Sequence, residues 1–294
     1  MTDRIRGIIA YPVTPFSESG SVDTTVLKAL LDRMIDAGVN AIAPLGSTGE
    51  SAYLDDAEWE TVAAATVEHV AGRVPVIVGA SEVTTVGTIA RARFAQRCGA
   101  DAIMVLPVSY WKLSEDELRQ HFTAVAEAVS LPVMVYNNPG TTGIDMAPEF
   151  LVELVETVSN IRMIKESSGD IGRMHRIAEL GGGRIPFFNG SNPLALRAHE
   201  AGAAGWCTAA PCLVPKQIVE FWRLLDTADT EKATELFASL QPLLTLLVSR
   251  GLPKTVKAGL RSLGIDAGEP RRPLLPLDPE TTEQLTALIA AATR

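Results

Sequence analysis

Short, continuously apolar runs alternate with longer amphipathic stretches along the first three quarters of the chain. Eight runs have the length of a strand: 7–10, 41–45, 75–79, 102–106, 133–136, 161–165, 185–188 and 205–208. Runs that are apolar throughout, rather than at every second residue, are typical of parallel strands covered on both faces. The pattern therefore predicts a parallel β-sheet with helices packed against it.

The stretches between the runs carry helical spacing and helix-start signals. One apolar stripe consists of Leu27, Leu30, Leu31, Met34 and Ile35. Ser114 with Glu117 forms a predicted capping box, and Asp170 is a predicted helix start. Eight strand–helix units predict an α/β protein with a (β/α)8 TIM barrel. A doubly wound open sheet is the alternative, but no Gly-x-Gly-x-x-Gly motif follows the first run.

The apolar runs stop near residue 226. Three helical stretches follow, at 230–247, 253–263 and 279–292, and several prolines interrupt the last connection. We therefore expect a catalytic barrel over residues 1–225 and a small C-terminal helical extension over residues 226–294.

Composition narrows the class of function. The net charge of −9 argues against a nucleic-acid partner, because such proteins carry a basic surface. No apolar stretch is long enough to suggest a membrane span. The cysteines, Cys98, Cys207 and Cys212, are odd in number and lack metal-ligand spacing. Together with the lack of a recognisable signal peptide, they predict reduced thiols and a cytoplasmic protein.

Lys165 is the most informative residue. Of the seven lysines, it alone closes an apolar run, while the others lie in predicted helices or loops. A buried lysine loses water around its ammonium, which favours the neutral amine that can attack a carbonyl and form a Schiff base. The alternative is a lysine whose stem lies along the core while its ammonium reaches solvent.

Other strand ends carry further candidates. The turn Gly46-Ser47-Thr48-Gly49-Glu50 suits an anion, since its glycines let successive amides converge, although such a turn can also be only a turn. Tyr136 ends the fifth run and Tyr110 follows the fourth, and either could serve packing alone. No pair of histidines or carboxylates follows a run, so we expect no metal, which disfavours a metal-dependent barrel aldolase.

These motifs resemble the dihydrodipicolinate synthase / N-acetylneuraminate lyase family over essentially the whole chain. The shared blocks are 10–16, 46–51, 136–139, 164–170 and 189–190. The resemblance implies a (β/α)8 barrel with a C-terminal helical tail. It also implies a Schiff-base enzyme of the class I aldolase type, without cofactor, and a homotetramer built as a dimer of dimers.

The resemblance also implies roles for individual residues. Lys165 would form the Schiff base with a small 2-oxo acid, and Tyr136 would relay protons. Ser47 and Thr48 would hold the carboxylate and link Tyr136 to Tyr110, and the latter would cross into the neighbouring subunit's site. Gly190 and Cys207 match positions that line the pocket.

Thr141 departs from the family's synthases, which carry an arginine there for the carboxylate of aspartate semialdehyde. A threonine cannot form a bidentate ion pair with it. We therefore expect Thr141 to contact a different substrate, as in a catabolic 1-pyrroline-4-hydroxy-2-carboxylate deaminase or a 2-keto-3-deoxy acid aldolase or dehydratase. The alternatives are a true 4-hydroxy-tetrahydrodipicolinate synthase and a non-catalytic 2-oxo acid sensor.

Overall fold

Eight parallel strands form the sheet in the computed structural model, which describes residues 4–293. They are β1 (Gly7–Ala10), β2 (Ala41–Ile42), β3 (Ile77–Gly79), β4 (Ala102–Val105), β5 (Val133–Asn137), β6 (Ile161–Glu166), β7 (Phe187–Asn189) and β8 (Gly205–Thr208). Their order is β2-β1-β8-β7-β6-β5-β4-β3. The predicted α/β fold, a (β/α)8 TIM barrel with C-terminal helices, is confirmed.

Helices follow the strands in alternation. They are α1 (Thr24–Asp36), α2 (Asp56–Val70), α3 (Thr85–Cys98), α4 (Glu115–Glu127), α5 (Pro139–Thr142), α6 (Pro148–Thr157), α7 (Ile171–Gly181), α8 (Ala195–Glu200), α9 (Pro215–Asp226), α10 (Thr230–Arg250), α11 (Leu252–Ser262) and α12 (Pro279–Ala292). The predicted start signals are confirmed: Ser114 and Glu117 form a reciprocal capping box, and Asp170 accepts a hydrogen bond from the amide of Gly172 at 2.8 Å.

The described chain divides into two compact units. The first holds residues 4–6 and Pro75–Cys207, and the second holds Gly7–Val74 and residues 208–293. The predicted division into a barrel of residues 1–225 and a helical region of residues 226–294 stays a prediction, and residues 1–3 and 294 lie outside the described chain. Within residues 227–293 only helices and loops occur.

In the first unit, β4, β5 and β6 are buried on both faces, apart from the exposed Arg162. The register of β5 and β6 pairs Tyr136 with Lys165 and Asn137 with Glu166. Because side chains alternate along a strand and paired residues face the same way, this register brings the first pair together on one face of the sheet.

In the second unit, α1 buries its predicted apolar stripe, except for the less buried Ile35, and packs against α2. The helix α9 packs on β1, and α10 packs on α9, α11 and α12. No helix in residues 4–293 is both long enough and apolar enough to cross a membrane.

Candidate active site

Lys165 lies in β6, one residue before its end, and only 5% of its surface is exposed. Its Nζ is 3.8 Å from the centroid of the Tyr136 ring and 3.9 Å from Met104 Sδ. The amine is therefore held inside the unit, against a phenol ring and a thioether. This excludes the alternative in which the ammonium reaches out into solvent.

Tyr136 lies opposite Lys165 on β5 and is equally buried, at 4% exposure. Its hydroxyl accepts a hydrogen bond of 2.7 Å from Asn138 Nδ2. The hydroxyl is thereby fixed by a donor that leaves its own proton available. A buried phenol next to a buried amine is an arrangement that can pass protons to and from a bound carbonyl compound.

Gly190 follows β7 directly, and its missing side chain leaves room for Lys165. A Cβ at this position would lie 3.0 Å from Lys165 Cε and 1.7 Å from Ser167 Oγ. Ser167 Oγ is buried and has no hydrogen-bond partner. Ser167 was missed from the sequence, although strand periodicity from Lys165 would have placed it on the same side. Cys207, 3% exposed, lies in β8.

The residues next to the amine and the phenol form a buried polar network. The fully buried Glu166 accepts hydrogen bonds from Asn137 Nδ2 at 3.0 Å and from the Ser168 amide at 2.6 Å. Arg173, from α7, lies 3.4 Å from the same carboxylate and also pairs with Asp145 at 2.9 Å. The ends of β5 and β6 are thus tied together, which fixes the two candidate catalytic side chains relative to each other.

Thr141 lies in α5, directly after β5, and is exposed. Its amide donates to the Asn138 carbonyl at 3.1 Å. The hydroxyl of the neighbouring Thr142 is used within the turn, donating to the Asn138 carbonyl at 3.3 Å and accepting from the Ile144 amide at 3.2 Å. Of the two threonines, Thr141 is therefore the one whose side chain is turned outward.

Tyr110 follows β4 and is not part of the buried pair. Its side chain is 91% exposed, and its ring contacts Trp111 edge-to-face at a centroid distance of 5.6 Å. Trp111 is itself 77% exposed. Two neighbouring aromatic rings in solvent are typical of a surface that a partner covers.

The second unit holds the turn with Ser47 and Thr48, which follows β2. Thr48 is buried and Ser47 is exposed. The turn closes through hydrogen bonds from the Gly49 amide to the Gly46 carbonyl at 3.0 Å and from the Glu50 amide to the Ser47 carbonyl at 3.2 Å. Thr14 Oγ1 donates to the Gly49 carbonyl at 2.7 Å. The predicted anion-binding turn is thus a compact, internally bonded loop.

Glu50 ends this turn and forms a buried ion pair with Lys257 of α11, at 2.7 Å. The two side chains are 0% and 1% exposed. Burial lowers the pKa of Lys257, and the Glu50 carboxylate opposes that shift. This second buried lysine was missed from the sequence, because its helix has the spacing of an ordinary amphipathic surface helix.

No group of three or more His, Cys, Asp or Glu side chains in residues 4–293 is arranged to hold a metal ion. Within residues 4–293, Cys98, Cys207 and Cys212 form no disulfide bond. Burial raises the pKa of Cys212 to about 12, which keeps this thiol protonated and unreactive at neutral pH.

Eight parallel strands with polar and ionisable side chains at their carboxyl ends are the architecture of a (β/α)8-barrel enzyme. The sequence profile of the dihydrodipicolinate synthetase family matches residues 4–292. The chain belongs to this family and is a lyase of it.

Individual relatives cover nearly all of the chain. The 4-hydroxy-tetrahydrodipicolinate synthase of Thermomicrobium roseum is 34% identical over 98% of this chain and 94% of its own. A Pseudomonas aeruginosa structure provisionally named dihydrodipicolinate synthetase is 52% identical, with a TM-score of 0.96 over 98% of this chain and 99% of the other. A dihydrodipicolinate synthase variant described as the first monomeric one is 32% identical, with a TM-score of 0.95 over 99% and 98% of the two chains.

Proposed function

We propose that this protein is a Schiff-base lyase that acts on pyruvate or another small 2-oxo acid, with Lys165 as the nucleophile. The observation that carries the proposal is the position of the Lys165 amine, buried and 3.8 Å from the Tyr136 ring, at the paired ends of β5 and β6.

The chemistry follows from an amine and a phenol at one site. The neutral amine of Lys165 adds to the 2-oxo carbon, and loss of water leaves a protonated imine. The imine withdraws electrons, so a proton on the adjacent carbon can leave and an enamine forms. The enamine then attacks an electrophile, or forms in reverse by carbon–carbon cleavage. Tyr136 carries the protons of these steps. It protonates the former 2-oxo oxygen so that it leaves as water, and it exchanges a proton with the carbon next to the imine.

We also propose that Ser47 and Thr48 bind the carboxylate of the 2-oxo acid. The support is the family resemblance together with the closed Gly46–Glu50 turn, whose internal hydrogen bonds fix Ser47 and Thr48 directly after β2. Gly190 and Cys207 remain proposed pocket residues, and Tyr110 remains a proposed contribution to a neighbouring subunit's site.

The names of the curated relatives favour one particular reaction, the condensation of pyruvate with aspartate semialdehyde by a 4-hydroxy-tetrahydrodipicolinate synthase. Eight relatives at 32–34% identity carry that name. These names support the synthase activity better than a catabolic activity.

The position of Thr141 favours a second candidate function, that of a catabolic lyase. It is exposed directly after β5, where the family's synthases carry the arginine that binds the second carboxylate. Loss of one partner of such a charge pair costs roughly 2–5 kcal/mol of binding. A substrate whose distal end is neutral or hydroxylated, such as 4-hydroxy-1-pyrroline-2-carboxylate or a 2-keto-3-deoxy sugar acid, does not need that guanidinium.

Two assays on the same preparation test these proposals. Pyruvate with borohydride should inactivate the wild-type enzyme and leave Lys165→Ala unlabelled; a sensor without this chemistry would give no adduct. Turnover is then compared for pyruvate with aspartate semialdehyde, for the hydroxypyrroline and for the sugar acids. Turnover of aspartate semialdehyde alone would identify a synthase and remove the second candidate.

For assembly, we propose a homotetramer built from two close dimers, with Tyr110 at the interface. The exposed Tyr110–Trp111 pair supports this proposal. Light scattering on wild type and Tyr110→Ala tests it, and a fully active wild-type monomer would refute it. The lack of a disulfide bond among the cysteines of residues 4–293 supports the cytoplasm as the proposed compartment.

A further inference from the structure

The turn that holds Ser47 and Thr48 is bounded by two residues in an unfavourable backbone conformation. Leu45 has a φ of 62° and Glu50 a φ of 57°, both in the left-handed region that residues with a side chain rarely adopt. Such conformations persist only where the surroundings impose them, and they concentrate at functional sites. Something outside the turn must therefore hold it in this shape.

The carboxylate of Glu50 is the anchor. Its Oε1 lies 2.7 Å from Lys257 Nζ, and its Oε2 accepts a hydrogen bond of 2.6 Å from the backbone amide of Arg271. Glu50 is completely buried. Both oxygens of a residue inside the strained turn are thus bound by the C-terminal part of the chain.

The two anchoring residues are themselves fixed. Lys257 Nζ donates to the Glu269 carbonyl at 3.1 Å and lies 4.0 Å from the centroid of the Phe16 ring. The guanidinium of Arg271 covers the same ring at 4.2 Å and donates to Glu58 Oε1 at 2.8 Å. Lys257 and Arg271 therefore reach the turn from a rigid frame rather than from mobile side chains.

We infer that Lys257 and Arg271 are positioning residues for the carboxylate of the 2-oxo acid, acting through Glu50 on the turn that carries Ser47 and Thr48. This inference rests on the proposed role of that turn. Its physical basis is that hydrogen bonds to an anion depend on the direction of the donors, so a turn free to relax at Glu50 would still fold but would bind the carboxylate less well. In this account, the C-terminal helices contribute to substrate binding without touching the substrate.

The test measures how much pyruvate is needed to trap half of the enzyme with borohydride, and the maximal amount trapped. Lys257→Met breaks the pair, and the double variant Glu50→Gln/Lys257→Met removes both charges so that no buried charge is left alone. Lys254→Met, one turn earlier on α11, is the matched control. Arg271→Leu, at a half-buried position, keeps the backbone contact and loses the guanidinium.

We expect the single and double Lys257 variants to need about tenfold more pyruvate, the loss of roughly one hydrogen bond to a charged group, with the maximal trapping unchanged. Arg271→Leu should shift the requirement in the same direction and by less, while Lys254→Met should match wild type. If Lys257→Met does not fold, the pyruvate requirements of the double variant and of Arg271→Leu test the inference on their own.

Wild-type pyruvate requirements in the folded double variant and in Arg271→Leu would overturn the inference, because the pair would then serve stability alone. A rise in the requirement together with an equal fall in maximal trapping would overturn it too, since that indicates general damage. Absence of trapping in the wild type is a different result: it would refute the proposed Schiff-base function itself.

Discussion

Two lysines of this chain are buried to nearly the same extent, and their surroundings differ. Lys165 is 5% exposed and Lys257 is 1% exposed, and each lies against an aromatic ring, at 3.8 and 4.0 Å. Lys257 belongs to a helix and is paired with the Glu50 carboxylate at 2.7 Å. Lys165 belongs to a strand end and contacts a phenol ring and a thioether.

The difference matters because burial by itself does not make a lysine a nucleophile. A carboxylate stabilises the ammonium form and so opposes the loss of the proton that a nucleophile must give up. The ammonium of Lys257 is further held by a backbone carbonyl, which suits a structural ion pair. The proposed covalent chemistry of Lys165 and the proposed anchoring role of Lys257 are therefore separate, and the predictions below test this separation.

The largest effect should follow loss of the Lys165 amine. Lys165→Met keeps most of the side-chain volume and removes the nucleophile, so turnover should fall about 10³-fold or more. Stability measured by urea denaturation should stay near the wild-type value, because a hydrophobic side chain suits the buried position. Substantial remaining turnover would contradict the role of Lys165.

Removal of the Tyr136 hydroxyl should give the second-largest loss of turnover. Tyr136→Phe keeps the ring that lies over Lys165 and loses the hydroxyl that Asn138 fixes. We expect kcat to fall about 10²–10⁴-fold, the usual contribution of a positioned acid–base group, while adduct formation is partly retained. Steady-state kinetics and borohydride trapping on one preparation separate the two effects. Near-normal turnover would rule out Tyr136 as the proton shuttle.

Breaking the ion pair of Lys257 should lower stability, in addition to the shift in pyruvate requirement inferred above. Lys257→Met leaves Glu50 charged and buried, which costs about 3–5 kcal/mol, whereas the double variant Glu50→Gln/Lys257→Met should recover most of that loss. Urea denaturation of both variants, with Lys254→Met as the control, measures the difference. A Lys257→Met protein as stable as wild type would show that the pair does not hold the second unit together.

A methyl group at Gly190 should affect the surroundings of Lys165 directly. The added Cβ would lie 1.7 Å from Ser167 Oγ and 3.0 Å from Lys165 Cε. Overpacking of this kind costs about 1–3 kcal/mol, and a displaced amine should also trap pyruvate more slowly. The double variant Gly190→Ala/Ser167→Ala removes the closer contact and should recover part of both losses. Equal behaviour of Gly190→Ala and wild type would show that this space is not needed.

Cys212 offers an effect on stability that is confined to alkaline pH, and it tests the principle that burial favours the neutral form. Burial raises the pKa of its thiol from 9.0 to about 12. Below pH 9 both folded and unfolded chains keep the proton. Above it the unfolded chain loses the proton first, so the free energy of unfolding should fall by up to about 1.4 kcal/mol per pH unit.

The control for this pH effect is Cys212→Ala, whose stability should fall less steeply over the same range. Denaturation curves collected between pH 8 and about 11 for both proteins supply the comparison. Parallel pH profiles of the two proteins would show that the thiol is not shielded as the structure indicates.

Local sequence patterns were enough to predict all eight strands, but both ends were correct only for β1 and β8. The run at 41–45 is apolar throughout, but β2 stops at Ile42, because Pro44 and the left-handed Leu45 turn the chain. The run at 75–79 likewise shortens to Ile77–Gly79. Hydrophobicity reports burial, and a buried turn has the same composition as a buried strand.

The site was predictable where one residue stood out locally. Lys165 ends an apolar run, and that position alone suggested its burial. Lys257 gave no such signal, because its partner Glu50 is distant in the sequence and long-range pairing leaves no periodic pattern. The roles of Tyr136, Thr48 and the 2-oxo acid came from the resemblance to a family rather than from spacing.

The most direct test of the separation between the two lysines is to let both compete for one label. Wild-type protein is incubated with pyruvate and borohydride, digested with trypsin and analysed by mass spectrometry. A modified lysine blocks cleavage, so label on Lys165 appears in the peptide 163–173, and label on Lys257 in the peptide 255–261. We expect a pyruvate-dependent label in the peptide 163–173, while unmodified Lys257 is cleaved to give the peptides 255–257 and 258–261. Label on Lys257, or on neither lysine, would contradict this separation.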